Sequence, residues 1–154
     1  MNISDMLSVT AKVDGAYKAV CRPALEEFGL PQTSFDIIMF LANHPEHYTA
    51  RQVSRMRNLK PNVVSIHVEK LVQEGFLTRQ GVEEDRRKVR LNLTEKAGPV
   101  VERGKQLQRS FYEKLIKGLS ENEMESFRHC VFVAGENAES IRNNTESRGK
   151  TEEN

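Results

Sequence analysis

Between residues 51 and 90 the chain carries ten lysines and arginines against five acidic residues, a net of +5, although its overall formal charge is only +1. Residues 1 to 50 hold three against six and residues 91 to 154 ten against eleven, so the positive field is confined to the middle segment. Guanidinium and ammonium groups neutralise phosphates whatever the base sequence, and clustered in this way they suit a nucleic acid. Arg51, Arg55, Arg57, Lys60 and Lys70 are expected to make such backbone contacts, which position a protein without specifying its site. Asn62 and Ser65, set among them, are polar side chains of the kind that reach base edges in a major groove. Further along, Asp85-Arg86-Arg87 places two adjacent arginines beside a carboxylate able to hold one guanidinium in a bidentate pair. Arg86 and Arg87 suit the negative potential of a narrow minor groove.

These side chains need elements to aim them. Thr49-Ala50-Arg51-Gln52 has the capping-box pattern of a helix start, with Val53 and Met56 as a small apolar face. Asn58-Leu59-Lys60 breaks that short helix, and Pro61 suits the first turn of a second one, which runs to about Glu74 with Gly75 as its left-handed terminator. In the second helix Val64, Val68, Leu71 and Val72 recur at helical spacing and point inward, leaving Lys60, Asn62, Ser65, Ile66, Glu69 and Lys70 outward. Past it, Val89, Leu91 and Leu93 alternate with Lys88, Arg90 and Asn92 as in a half-buried strand. Phe76-Leu77-Thr78-Arg79 is the natural partner strand, around a loop containing Gly81 and Glu83-Glu84-Asp85. Helix, tight turn, helix, hairpin is the order of a winged helix-turn-helix, whose second helix enters a major groove about 12 Å wide.

The flanks read as long amphipathic helices. Ile3, Leu7, Val13, Tyr17, Val20 and Ala24 form a loose stripe ending around Cys21-Arg22-Pro23. Val100, Gly104, Leu107, Phe111, Leu115 and Leu119 form another, with Thr94 as its N-cap. A capping box at Ser120-Glu123 then opens a run of Met124, Phe127, Val131, Ala134, Ala138 and Ile141 at heptad-like spacing. A reading unit over 31–93, with a hairpin-bearing centre of only about 45 residues, has little core of its own. Helices over 3–28 and 95–142 are therefore expected to pair with a second copy, setting two recognition helices about 34 Å apart over a pseudo-palindromic operator. The last twelve residues, 143–154, contain no apolar side chain and read as a disordered tail. The fold class is mostly α, with a small β-hairpin wing between dimerisation helices.

At this point the residues resemble the MarR family of transcriptional regulators over nearly the whole chain. Asp85-Arg86-Arg87, Leu91-Asn92-Leu93-Thr94 and Gly98 are similar to the family's D-x-R, L-x-L-T-x-x-G wing signature, with one extra residue before the glycine. Val64-Ser65, Val68, Leu71 and Gly75 resemble its recognition helix, while Ile66 stands where many members carry a polar or basic residue and is suited to a thymine methyl. The resemblance implies an obligate dimer, repression by operator occupancy, and a small-molecule effector held between the dimer helices and the reading unit. Tyr17, Phe35, Met39 and Phe111 are the residues suited to line that pocket.

The rest of the sequence narrows the alternatives. Its 154 residues, 38% apolar and 29% charged, suit one soluble domain. No run approaches a membrane span and the N-terminus lacks a signal-peptide pattern, so a cytoplasmic location is expected. There is no phosphate loop and no nucleophile elbow, which argues against an enzyme, and no cofactor is implied. Cys21 and Cys130 read as small buried thiols, and His44, His47, His67 and His129 show no zinc spacing. His44 is expected to end the helix containing Phe35, Ile38 and Leu41. A redox- or metal-responsive regulator, or a winged-helix module docking an acidic protein, are the competing readings.

Overall fold

The computed structural model describes residues 2–83 and 85–149. Two compact units are present, Met1–Tyr112 and Glu113–Asn154. The first contains α1 (Ile3–Phe28), α2 (Gln32–Asn43), α3 (Ala50–Met56), α4 (Pro61–Gln73), β1 (Leu77–Val82), β2 (Asp85–Leu93) and most of α5 (Gly98–Leu115); the second is built on α6 (Glu121–Gly149). The expected mostly α architecture with one antiparallel hairpin is what is found.

The middle of the first unit is α2, whose apolar residues point in every direction because it is surrounded. Phe35, Ile37 and Ile38 are fully buried and Met39 nearly so, as expected of a helix without a solvent face. Around it lie Val53 of α3, Val64, Val68 and Leu71 of α4, Leu77 of β1 and Val100 of α5, all in one cluster. His44 caps the end of α2, its amide bonded to the Phe40 carbonyl at 2.9 Å.

Two helix ends differ from expectation, while α1 keeps the expected bounds of 3–28. The α1 helix starts on a capping box between Asn2 and Asp5 and runs through Pro23 to Phe28, where Gly29 (φ 63°) terminates it. Pro23 removes one backbone bond, yet Cys21 and Ala24 on either side are fully buried, and that burial holds the turn helical. At the other end α6 starts on the expected Ser120/Glu123 box but continues to Gly149, seven residues past 142. With neither Pro nor Gly between Arg142 and Gly149 the backbone ladder simply continues, and Lys150 to Asn154 lie outside the described residues. The stripe expected to reach Leu119 ends with α5 at Leu115, since Gly118 (φ 97°) turns the chain.

Small and charged residues set how the helices meet in the first unit. A methyl built on Gly104 of α5 would overlap Met39 Sδ and lie 2.8 Å from Met39 Cε and 3.1 Å from Phe35 Cζ. Helices α2 and α5 therefore meet through the absence of a side chain. Asp36, on α2, is mostly covered; it accepts from Gln32 Nε2 at 2.9 Å and lies 3.5 Å from the Arg57 guanidinium at the end of α3. Burial pushes its carboxyl above the usual range, against the lowering effect of Gln32 and Arg57.

Two stability outcomes follow. Gly104→Val, which forces carbon into the Met39–Phe35 contact, is expected to destabilise the fold by about 1–3 kcal/mol, measured by urea unfolding; an unchanged midpoint would disprove the close packing. Because the folded-state pKa of Asp36 is raised, its favourable contribution is present below the unfolded pKa and is lost as pH rises through the folded one. Asp36→Asn should thus gain stability over the native chain with rising pH and show no gain in acid. A gain that is flat with pH would contradict the burial effect.

Candidate nucleic-acid interface

The two-helix unit of α3 and α4 is built on local bonds. Gln52 Oε1 accepts from the amides of Tyr48 and Thr49 and from the Thr49 hydroxyl, at 3.1, 3.0 and 2.8 Å, and Thr49 Oγ1 accepts from the Gln52 amide at 3.2 Å. The expected capping box is therefore complete. At the break, Ser54 and Leu59 bond twice: Leu59 N–H donates to the Ser54 carbonyl (2.9 Å) and Ser54 Oγ donates to the Leu59 carbonyl (2.7 Å). Asn58 takes φ 50° between them, a left-handed conformation that asparagine tolerates better than most residues. Pro61 stands in the first turn of α4. Met56 does not point inward as expected; it is 48% exposed, because α3 is only two turns long and meets the core through Val53 and the half-buried Ala50.

The α4 helix divides as its spacing requires. Val64, Val68 and Leu71 are buried, while Lys60, Asn62, Ser65, Ile66, Glu69 and Lys70 are exposed. Arg51 and Arg55 of α3 also stand exposed. Lys70 lies 3.8 Å from Glu74, and Arg57 leans back to Asp36. Sequence reasoning missed a link between helix and hairpin. Arg79 on β1 donates to Glu69 at 2.7 Å, and this bond holds the Glu69 carboxyl below its usual range.

The hairpin is longer than expected, pairing Leu77 with Leu93 through Gly81 with Val89, then Val82 with Asp85. The irregularity falls between those last two pairs, so Arg86, Arg87 and Lys88 occupy an extra stretch of β2 that the ladder leaves out. Such bulges re-aim side chains. Asp85 Oδ1 accepts from the Arg87 amide at 3.1 Å and its Oδ2 lies 3.6 Å from Lys88 Nζ. A carboxylate two residues back meets the backbone first, as in an Asx turn. Arg87 is exposed; the Arg86 side chain lies outside the described atoms. Val89, expected on the inner face, is 44% exposed, since the ribbon has left the core by then.

Three further contacts fix the base of the hairpin. The Leu91 amide donates to the Tyr48 carbonyl at 2.8 Å, and the Arg90 guanidinium lies 3.7 Å from the centre of the Tyr48 ring. Thr94, read as a helix cap, donates through Oγ1 to the Gly75 carbonyl at 2.6 Å. A 3-10 turn, Glu95–Ala97, comes before α5 in consequence. Gly75 itself has φ 79°, as its terminator role requires.

The four residues suited to an effector pocket fall into two pairs. Phe35 and Met39 are core side chains meeting at Gly104, and Tyr17 and Phe111 contact edge to face at 5.5 Å. The Tyr17 hydroxyl accepts from Gln108 Nε2 at 3.0 Å, and Gln108 Oε1 accepts from Asn43 at 2.9 Å. Burial raises the Tyr17 hydroxyl pKa. Cys21 is buried as expected, with its thiol pKa raised, whereas Cys130 is exposed on α6. Among the described residues no group of three or more His, Cys, Asp or Glu is placed to hold a metal ion. Nor is any described helix long and apolar enough to cross a membrane.

Residues 28–88 match the sequence model of the MarR family. In overall fold the chain is similar to a MarR transcriptional regulator from Methanosarcina mazei, at 20% identity and a TM-score of 0.75, covering 90% of this chain and 99% of that one. It is also similar to a MarR protein from Peptoclostridium difficile, at 16% identity and 0.78, covering 92% of each. A third similar structure is CouR from Rhodococcus jostii bound to p-coumaroyl-CoA, at 19% identity and 0.71, covering 88% of this chain and 95% of that one. Over residues 28–88 the chain thus matches the MarR family, and its overall fold is that of MarR transcriptional regulators.

Proposed function

We propose that the chain is a sequence-specific DNA-binding regulator that works as a homodimer in the cytoplasm, represses by occupying a pseudo-palindromic operator, and is released by a small molecule. The observation that carries this reading is the outward face of α4, polar and flanked by cations, lying next to a hairpin whose bulge carries Arg86, Arg87 and Lys88. Asn62 and Ser65 reach base edges; Arg51, Arg55, Lys60 and Lys70 meet phosphates, with Arg57 held back by Asp36. Arg87 probes the minor groove and Asp85 sets the backbone that presents it. The reading unit is 31–93, and the helices over 3–28 and 95–142 serve dimerisation.

Dimerisation is supported by apolar side chains that the single chain leaves in water. Phe127, Val131, Phe132 and Ile141 stand exposed on α6, and Ile3, Met6, Leu7 and Val9 on α1. Apolar residues left exposed along the same helix support an interface there. Release follows if an effector favours a dimer whose half-site spacing no longer matches the duplex. CouR holds p-coumaroyl-CoA, which supports an aromatic acid or its thioester as the class of effector to try first, with Tyr17 and Phe111 as its contacts.

Affinity for a selected duplex should fall steeply with salt. Arg87→Ala should weaken binding and lower the slope of log K against log salt by about 1 for each phosphate that the side chain neutralises in the native complex. A basic face docking an acidic protein would instead show no preference among duplexes. Phe127→Glu is expected to convert the dimer to monomers in sedimentation and to weaken operator binding in parallel; a dimer undisturbed by this change would remove α6 from the interface.

A further inference from the structure

The outward face of α4 contains one side chain that neither core packing nor phosphate binding explains. Ile66 is 66% exposed, and past Pro61 the other exposed positions of the helix are polar or charged. The helix already has its core residues in Val64, Val68 and Leu71. Asn62 precedes Ile66 by four residues and Lys70 follows by four, so all three lie along one stripe. Ile66 is the sixth residue of α4 counted from Pro61, within the N-terminal half that enters a groove.

We infer that Ile66 reads the 5-methyl group of a thymine, which makes one thymine in each half-site a specificity element. The inference rests on the DNA-binding reading above. Among the groups a base pair presents in the major groove, the thymine methyl is the apolar one, and it is matched by an apolar side chain. Isoleucine suits the task because a β-branched side chain holds nearly a single rotamer in a helix, so its methyls are in place before DNA arrives. A protein surface is the poorer occupant. At helical spacing Ile66 has Asn62, Glu69 and Lys70, with Val63 half-buried as its one apolar neighbour on that face, and protein docking sites are contiguous apolar patches. The cationic surroundings, with Lys60 and the hairpin arginines on the same unit, favour a polyanion.

The test uses the full chain and a duplex selected by it from a random pool. Each thymine of that duplex is replaced in turn by deoxyuridine, which lacks only the methyl. One position per half-site is expected to lose about fourfold in affinity, the value of one buried methyl. Ile66→Ala should bind the unmodified duplex more weakly by a similar factor and be indifferent to deoxyuridine at that position, with thermal unfolding unchanged. Native binding that ignores deoxyuridine everywhere, or an Ile66→Ala protein as sensitive as the native one, overturns the inference while leaving DNA binding standing. Failure to enrich any duplex overturns both.

Discussion

The burial of Val53, Val64, Val68 and Leu71 against α2 is the constraint from which the outward face of α4 follows. A helix has only one set of positions on each side, and committing four apolar side chains to the core decides which residues must face outward. Asn62, Ser65, Ile66 and Lys70 are exposed because Val64, Val68 and Leu71 are not. The turn at Asn58 then converts that choice into an angle, since the paired bonds between Ser54 and Leu59 admit little rotation of α4 relative to α3. Core packing and surface display are therefore coupled here: a repacked valine would re-aim the side chains on the opposite face.

Local rules made much of this readable in advance. The boxes at Thr49/Gln52 and Ser120/Glu123, Pro61 at a helix start and Gly75 at a helix end were legible because each depends on residues within one turn. What escaped reading was non-local. Thr94 satisfies a carbonyl nineteen positions back at Gly75, and Arg79 finds Glu69 ten positions back on another element. No pattern of spacing announces such pairs. Val89 illustrates a second limit, since period-two alternation identifies a face but not whether anything lies beneath it. At Pro23 a sound backbone rule lost to the burial of Cys21 and Ala24.

The site was legible in type more than in arrangement. Exposed cations on α3 and α4 appear where their spacing places them, but the structure separates their roles. Arg57 belongs partly to the core through Asp36, and Arg90 belongs to Tyr48. Asp85 acts on the backbone of the bulge and on Lys88. Each of these carboxylate and ring contacts takes a cation that composition alone would have counted toward the partner.

The stitch between Tyr48 and β2 has a mechanical consequence. From Leu91, where the ribbon is clamped, to Asp85 at its far end the ladder spans the three steps from Arg79 to Val82 on β1, about 10 Å at the usual rise per residue. A rod held at one end multiplies angular error: about 5° of play at the clamp moves the far end by roughly 1 Å. The loop carrying Tyr48, which bonds the ribbon at Leu91 and Arg90, therefore works as its fulcrum. Where the arginines land is settled some distance from the arginines themselves.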